Sequence, residues 1–357
     1  MKKIAILVFF TVGFFVHVWA CTGLIAGKQA TVDGSVLVTY SADSHTLYGA
    51  LTSSPAADWP KGSMRSIVEW DTNKPLGEIE QVEHTYAVMG NMNEHQLTVV
   101  ESTWGGRPEL VDTTGIIDYG SLMQLALERA KTAREAIKVM TGLVKKYGYY
   151  SSGESFTIAD PNEAWILDLI GKGPGRRGAV WVAVRIPDDC IAGHANYPRI
   201  HKIPMDDKEN CLYSPDVISF AREMGYFDGL NKDFSFARAY SPANFGALRA
   251  CDARVWSFFR KYDSSMDNYL PYVNGESAEP FPLYVKPSRK LSVQDMKEAM
   301  RDHFEDTPFD MTQDVGAGPF KVPYRFRPMS FEVDGKSYCM ERAIATQQTG
   351  FTLVGQM

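Results

Sequence analysis

Cys21 lies where a removable leader would end. Lys2 and Lys3 give a positive start, residues 4–16 are almost wholly apolar, and Val18-Trp19-Ala20 puts compact residues, Val18 and Ala20, at the −3 and −1 positions before the cysteine. That is the anatomy of a secretory signal peptide over residues 1–20, which differs from a spanning helix in length and flanks. Cleavage after Ala20 would leave Cys21 first, with a thiol and a free α-amine on one residue. An α-amine has a pKa of about 7.7–8.0 and can take the proton of its own thiol near neutral pH. Two other uses of Cys21 stand beside this one. It can be the plain first residue of a secreted protein, held in a disulfide. It can also be the lipidated cysteine of an anchored binding protein. A lipid anchor is normally followed by a flexible tether, whereas Thr22-Gly23-Leu24-Ile25-Ala26-Gly27 runs directly into a strand pattern.

A cysteine hydrolase also needs a group that holds the amine and donors for a tetrahedral oxyanion. Asp43 follows the strand that returns to Cys21, so its carboxylate can lie near the amine. Asn93 and Asn196 end predicted strands, where a side-chain amide can face an oxyanion or simply close a turn. Arg254, in Cys251-Asp252-Ala253-Arg254-Val255-Trp256, can orient a site carboxylate, bind a substrate carboxylate, or pair with an acid on a helix surface. The histidines His84, His95, His194 and His201 are scattered with no H-E-x-x-H spacing, and no CxxC occurs. No metal or other cofactor is therefore expected. Ser102 lacks a nucleophile-elbow context, and the glycines of residues 171–175 read as a hairpin loop rather than a phosphate cradle.

These residues need elements to hold them. Asp33-Gly34 is a hairpin turn signal between residues 22–27 and the return strand 36–40. Residues 52–83 read as a long irregular excursion, followed by strands at 84–88 and 97–101. Helical spacing covers 121–131, and Thr132-x-x-Glu135 starts a second helix ending at Gly148. Strands follow at 156–158, 165–169, 179–186 and 191–196. The second half carries helices at 214–224, 248–262 and 292–304, with loops predicted at 225–245 and 263–290. A hairpin at 331–340 and a last strand at 350–355 close the chain. Strands, helices, then strands again indicate an α+β protein with segregated layers. An apolar strand so near Met357 suggests that the native chain continues.

The 357 residues carry a formal charge of −6, which becomes −8 when Lys2 and Lys3 leave with the leader. This balance argues against nucleic acid as a partner. No run after the leader is long enough to span a membrane, and residues 21–357 suffice for one elaborated domain. Cys190, Cys211, Cys251 and Cys339 can pair in three ways or stay free. A homo-oligomer is compatible with this composition.

The sequence resembles the N-terminal-nucleophile dipeptidases, the dipeptidase A and secernin-like family. The resemblance lies in Cys21-Thr22-Gly23, Asp33-Gly34-Ser35, Asp43, Asn91-x-Asn93-Glu94-His95 and Glu101-Ser102-Thr103. It continues through Glu163-Ala164-Trp165, the strand at 181–187 and His194-Ala195-Asn196-Tyr197-Pro198-Arg199-Ile200. Later blocks are Arg254-Val255-Trp256, Arg301-Asp302-His303 and Glu341-Arg342. The match covers nearly all of the mature chain. It implies an αββα sandwich of two antiparallel sheets and metal-free hydrolysis of dipeptides through an acyl-enzyme. By this family's pattern Cys21 is the nucleophile, Asp43 contacts its amine, Asn93 and Asn196 line the oxyanion site, and Arg254 is a later active-site arginine. Bile-salt hydrolases and penicillin V acylases are more distant relatives, which leaves an amidase for N-acyl amino acids as the alternative. Those relatives carry arginine three residues before the aspartate, where this chain has Tyr40.

Overall fold

In the computed structural model, residues 20–44, 49–325 and 330–357 are described. The leader proposed for residues 1–20 lies outside them, except for Ala20.

The Asp33 carboxylate accepts from the backbone and the hydroxyl of Ser35 at 3.1 and 2.6 Å, while Gly34 takes φ +82°. A left-handed residue is cheap only for glycine, so this short segment folds back as its sequence requires. It joins β1 (Ala20–Ala26) to β2 (Leu37–Asp43), with Cys21 opposite Ala42 and Ala20 opposite Asp43. The remaining long strands are β3 (Thr98–Gly105), β4 (Gly153–Ala159), β5 (Ala164–Gly171), β6 (Ala179–Ile186), β7 (Ile191–His194) and β8 (Thr349–Gln356). The main helices are α1 (Tyr119–Arg129), α2 (Ala133–Tyr147), α3 (Ala253–Arg260) and α4 (Val293–Ala299).

Two antiparallel sheets result. One runs in the order Tyr284–Val285, β7, β1, β2, β8, which puts the Cys21 strand at its centre. The other contains β6, β5, β4 and β3, with short strands at each edge. Successive side chains of a strand point to opposite faces, and β1 divides accordingly. Ile25 joins Val100, Ile166 and Val180 between the sheets, whereas Leu24 and Ala26 pack on Val255 and Trp256 of α3 and Met296 of α4. On the far side of the second sheet, Phe156, Ile158 and Leu167 meet Leu122 and Leu125 of α1 and Ile137 and Met140 of α2.

Several boundaries differ from expectation. Residues 52–83 are not wholly irregular. Met64–Val68 and Pro75–Glu80 pair antiparallel, with Ile67 and Ile79 buried and most of their neighbours partly or fully exposed. A half-exposed hairpin tolerates the Pro, Gly and charge that suggested a loop. Residues 225–245 hold a short helix, Phe236–Tyr240, and residues 263–290 hold helical turns at Ser264–Tyr269 and Leu270–Val273. Helix α4 starts at a full Ser292/Asp295 capping box but stops at Ala299 instead of running to residue 304. At α2, Thr132 caps Glu135 N, while the Glu135 carboxylate accepts from Lys131 N, one residue before the cap. Cys190, Cys211 and Cys251 are free thiols; the pairing considered for Cys339 concerns a side chain outside the described set.

One interior group matters for the site. His194 is fully buried opposite Gly23, its ring held by the hydroxyls of Ser102 (2.6 Å) and Thr157 (2.9 Å). A Cβ on Gly23 would sit 2.9 Å from this ring, so glycine is what lets the strands close here. Burial, helped by Arg254 and Arg199, pushes the His194 pKa down to about 3. The imidazole is thus neutral in the native state and binds a proton on unfolding below pH ~6.5. Stability from this group is complete above that pH and declines as pH falls toward 3, by about 1.4 kcal/mol per unit. Urea unfolding at pH 7, 6, 5 and 4 should show the stability difference between wild type and His194→Gln changing with about this slope.

Candidate active site

Cys21 is almost completely buried at the start of the central strand β1. Its nitrogen donates to Asn196 Oδ1 at 2.9 Å. Its sulfur lies 3.4 Å from Glu101 Oε1 and 3.8 Å from the Tyr40 hydroxyl, with the Asp43 backbone close enough to favour its ionised form. The nitrogen and sulfur of one residue are therefore held by different partners from β2, β3 and the segment after β7.

Asn196 reaches this place through a left-handed backbone, φ +58°, which asparagine tolerates better than most residues. Its Nδ2 donates to Thr103 O at 2.6 Å, and its Oδ1 also accepts from Arg254 Nη2 at 2.8 Å. Arg254 stands on the first turn of α3, wholly buried. It donates to Cys21 O (2.9 Å), Thr22 Oγ1 (2.7 Å), Ala195 O (3.0 Å) and Ala250 O (2.8 Å). A planar guanidinium suits this task because its five donors leave in fixed directions. Burial and the Arg342 charge pull its pKa down to about 10, so it stays charged at neutral pH. Arg254 ties β1 to the Asn196 segment and does not border the cavity described below.

Asp43 is brought next to Cys21 by the hairpin register, as the sequence suggests. Its carboxylate, however, faces Arg342 (3.0 Å) and Thr349 (2.6 Å) of the C-terminal segment. Burial raises its pKa against the pull of Arg342, Thr349 and Arg254. Its backbone meets the sulfur, while Asn196 takes the nitrogen. Asn93 is not brought to this cluster. Its two amide hydrogens go to Leu127 O and Ala130 O at the end of α1, and its Oδ1 closes the turn to His95 and Leu97. Asn91 is the asparagine of that turn that reaches the cavity wall.

A group of acids on the other side of Cys21 was not identified among the candidate residues. The Tyr40 hydroxyl donates to Glu101 Oε1 at 2.5 Å. Burial raises the Glu101 pKa, opposed by hydrogen bonds from Tyr40, Cys21 and Glu154. Burial and the Glu101 charge push Glu154 well above the carboxylate range, further than Glu101 itself. Nearby Asp71, which accepts from the Tyr119 hydroxyl at 2.8 Å, is raised by burial to about 6. Burial, then the charges of Glu101 and Asp43, raise the Cys21 thiol far above its ordinary value. A thiolate facing an ionised Glu101 at 3.4 Å would be repelled by about 5 kcal/mol at an effective dielectric of ~20. The one sequence hint of this group is an acid, Glu101, closing an apolar strand run.

Cys21, Tyr40, Asp43 and Glu101 border a cavity of about 460 Å³. Its walls include Leu51, Trp70, Asn91, Tyr119, Met123 and Phe351, and Phe351 makes an edge contact with Tyr40 at 5.5 Å. A Cβ on Gly120 would strike the Trp70 side chain at 2.4 Å, so this glycine of α1 admits the tryptophan. A mostly apolar recess with a thiol, an acid and an amide at its edge can host acyl transfer on a small polar molecule. His194, with both nitrogens engaged elsewhere, does not serve the thiol as a base.

The sequence model of peptidase family C69 matches residues 20–357. A probable dipeptidase from Salmonella dublin is 28% identical over 318 residues, covering 82% of this chain and 68% of that protein. Dipeptidase A from Lactobacillus helveticus is 25% identical over 327 residues, 85% of this chain and 66% of its own. A probable dipeptidase from Latilactobacillus sakei is 25% identical over 314 residues, 82% of this chain and 62% of its own. The matched regions thus span about two thirds of the length of these relatives.

Arg254 is the hub of this geometry. Arg254→Met should cost about 3–5 kcal/mol, read by urea unfolding, because several buried acceptors lose a charged donor at once.

Proposed function

The chain belongs to peptidase family C69, and from that premise we propose that it is a cysteine dipeptidase whose nucleophile is Cys21, exposed by removal of residues 1–20. The observation that carries this is the splitting of Cys21. Its nitrogen is held by Asn196 Oδ1 at 2.9 Å while its sulfur borders the cavity. In the mature chain that nitrogen is the α-amine.

The chemistry follows from these positions. The amine takes the thiol proton, and the thiolate attacks the peptide carbonyl of a dipeptide. As the tetrahedral intermediate collapses, the ammonium gives its proton to the leaving amino group, and a thioester remains on Cys21. Water then attacks the thioester, its proton passing to the amine. The acyl group leaves as a free amino acid, and the thiol is restored. In this scheme Asn196 and Arg254 are positioning residues for the amine, and Asp43 presents its backbone to the sulfur. Both Asn93 amide hydrogens already serve backbone carbonyls, whereas Asn91, on the cavity wall, gives one to Val99 O at 3.0 Å and has a second for an oxyanion. We therefore read Asn91 as a side chain available to an oxyanion.

The two antiparallel sheets with helices packed on both outer faces fit the four-layer αββα sandwich of N-terminal-nucleophile hydrolases. With a leader removed after Ala20 the protein would be secreted or periplasmic. Among the described residues no helix is long and apolar enough to cross a membrane. Burial of Cys21 between Tyr40, Glu101 and Asp43 speaks against a lipid on its sulfur.

Cys21→Ala should reduce turnover on a dipeptide panel by at least about 10⁴-fold while circular dichroism and the unfolding midpoint stay near wild type. Wild-type rates in this variant would remove the proposal.

A further inference from the structure

We propose that the Glu101 carboxylate receives the α-ammonium of the substrate, so that this site selects dipeptides with a free N-terminus and rejects N-acyl compounds. The inference rests on the dipeptidase reading and names the feature of the substrate that the site recognises.

Covalent geometry carries it. In an amino acid residue the α-nitrogen lies two bonds from its own carbonyl carbon, about 2.5 Å away. A sulfur poised to attack that carbon stands about 3–3.5 Å from it. The ammonium must therefore fall within a few ångströms of the sulfur. Glu101 Oε1 is 3.4 Å from Cys21 Sγ, and a charge-assisted N–H···O bond spans about 2.8 Å. Those four distances close into one ring of four atoms, the sulfur, the carbonyl carbon, the α-nitrogen and Oε1. An amine one residue further along lies about 3.8 Å beyond, the spacing of successive Cα atoms, and falls outside it. Attack is thereby confined to the first peptide bond.

The surroundings of Glu101 agree. Glu101 borders the cavity, and its Oε1 accepts from Tyr40 at 2.5 Å, which fixes the carboxylate; the acceptor site that faces the Cys21 thiol at 3.4 Å opens to an ammonium once the thiol gives up its proton. Burial raises both acids, and the Glu101 charge lifts Glu154 further, so Glu101 is the more acidic of the pair. The cations closest to the site are already committed, Arg254 to Asn196 and the β1 backbone and Arg342 to Asp43. When Cys21 gives up its proton, two anions face each other across 3.4 Å. A substrate ammonium lying between them removes that repulsion, so binding of the correct substrate also favours the reactive thiolate. An N-acyl substrate brings no cation and leaves the repulsion in place. At the position where the amidase relatives carry arginine, Tyr40 instead braces this acid.

The test compares alanyl-leucine with propionyl-leucine, which lacks only the amine, on the mature wild type and on Glu101→Gln. In the wild type kcat/KM for the des-amino compound should be lower by at least about 100-fold. In Glu101→Gln the two values should converge to within about tenfold, through loss on the dipeptide. If Glu101 serves only the thiol, both substrates lose equally and the ratio stays put, which overturns the inference while leaving the dipeptidase reading intact. Equal wild-type rates on both compounds overturn it without any variant. Calorimetric binding of alanyl-leucine to Cys21→Ala separates the two ideas further. Binding that disappears in Cys21→Ala/Glu101→Gln supports ammonium capture even where the wild type shows no dipeptide turnover, and binding that survives unchanged contradicts it.

Discussion

The hydrogen bond from the Cys21 nitrogen to Asn196 Oδ1 is the contact from which the rest of the site is built. It fixes the nitrogen on one side of the residue and turns the sulfur toward Tyr40, Glu101 and the cavity. Asn196 can accept there because Arg254 grips the same oxygen and Thr103 anchors the amide nitrogen. Arg254 in turn reaches the Cys21 carbonyl, so one guanidinium joins α3, β1 and the segment after β7. Placing Cys21 on the central strand of a sheet packed on both faces makes this arrangement rigid. A rigidly held Cys21 suits chemistry that depends on a few tenths of an ångström.

Charge is divided across the thiol. Arg254 and Arg342 lie with Asn196 and Asp43 on one side, while Glu101, Glu154 and Asp71 gather on the other. Burial, then the charges of Glu101 and Asp43, favour the protonated thiol. Under the proposed mechanism that protonation guards Cys21 against idle reaction and ties its activation to what enters the cavity. The acids themselves are kept tolerable by shared protons and phenolic donors, the usual way buried carboxylates persist.

Much of this was legible in the sequence where the physics is local. The Asp33-Gly34 turn and the alternation around it place Asp43 beside Cys21 within a span of 23 residues, and the register bears that out. Capping signals at Thr132 and Ser292 mark real helix starts. Direction of a side chain is not local. Asn93 and Asn196 look alike as strand-end asparagines, yet one amide closes onto α1 and the other onto Cys21. Asp43 arrives at the right place with its carboxylate facing Arg342, 299 residues away. Glu101 becomes a site residue only because β3 lies beside β1 and β2, which no stretch of β3 reveals by itself. The hairpin at residues 64–80 was hidden for another reason, since half-exposed strands carry loop-like composition.

The account requires a free nitrogen and a free sulfur on the same first residue. The direct measurement is the intact mass and dipeptide turnover of one purified sample, compared with protein in which Ala20 is retained ahead of Cys21. A working sample should have the mass of a chain starting at an unmodified Cys21, and the extended protein should be inactive until Ala20 is removed. Equal turnover with Ala20 still attached, or activity from a chain whose first nitrogen is acylated, would contradict it.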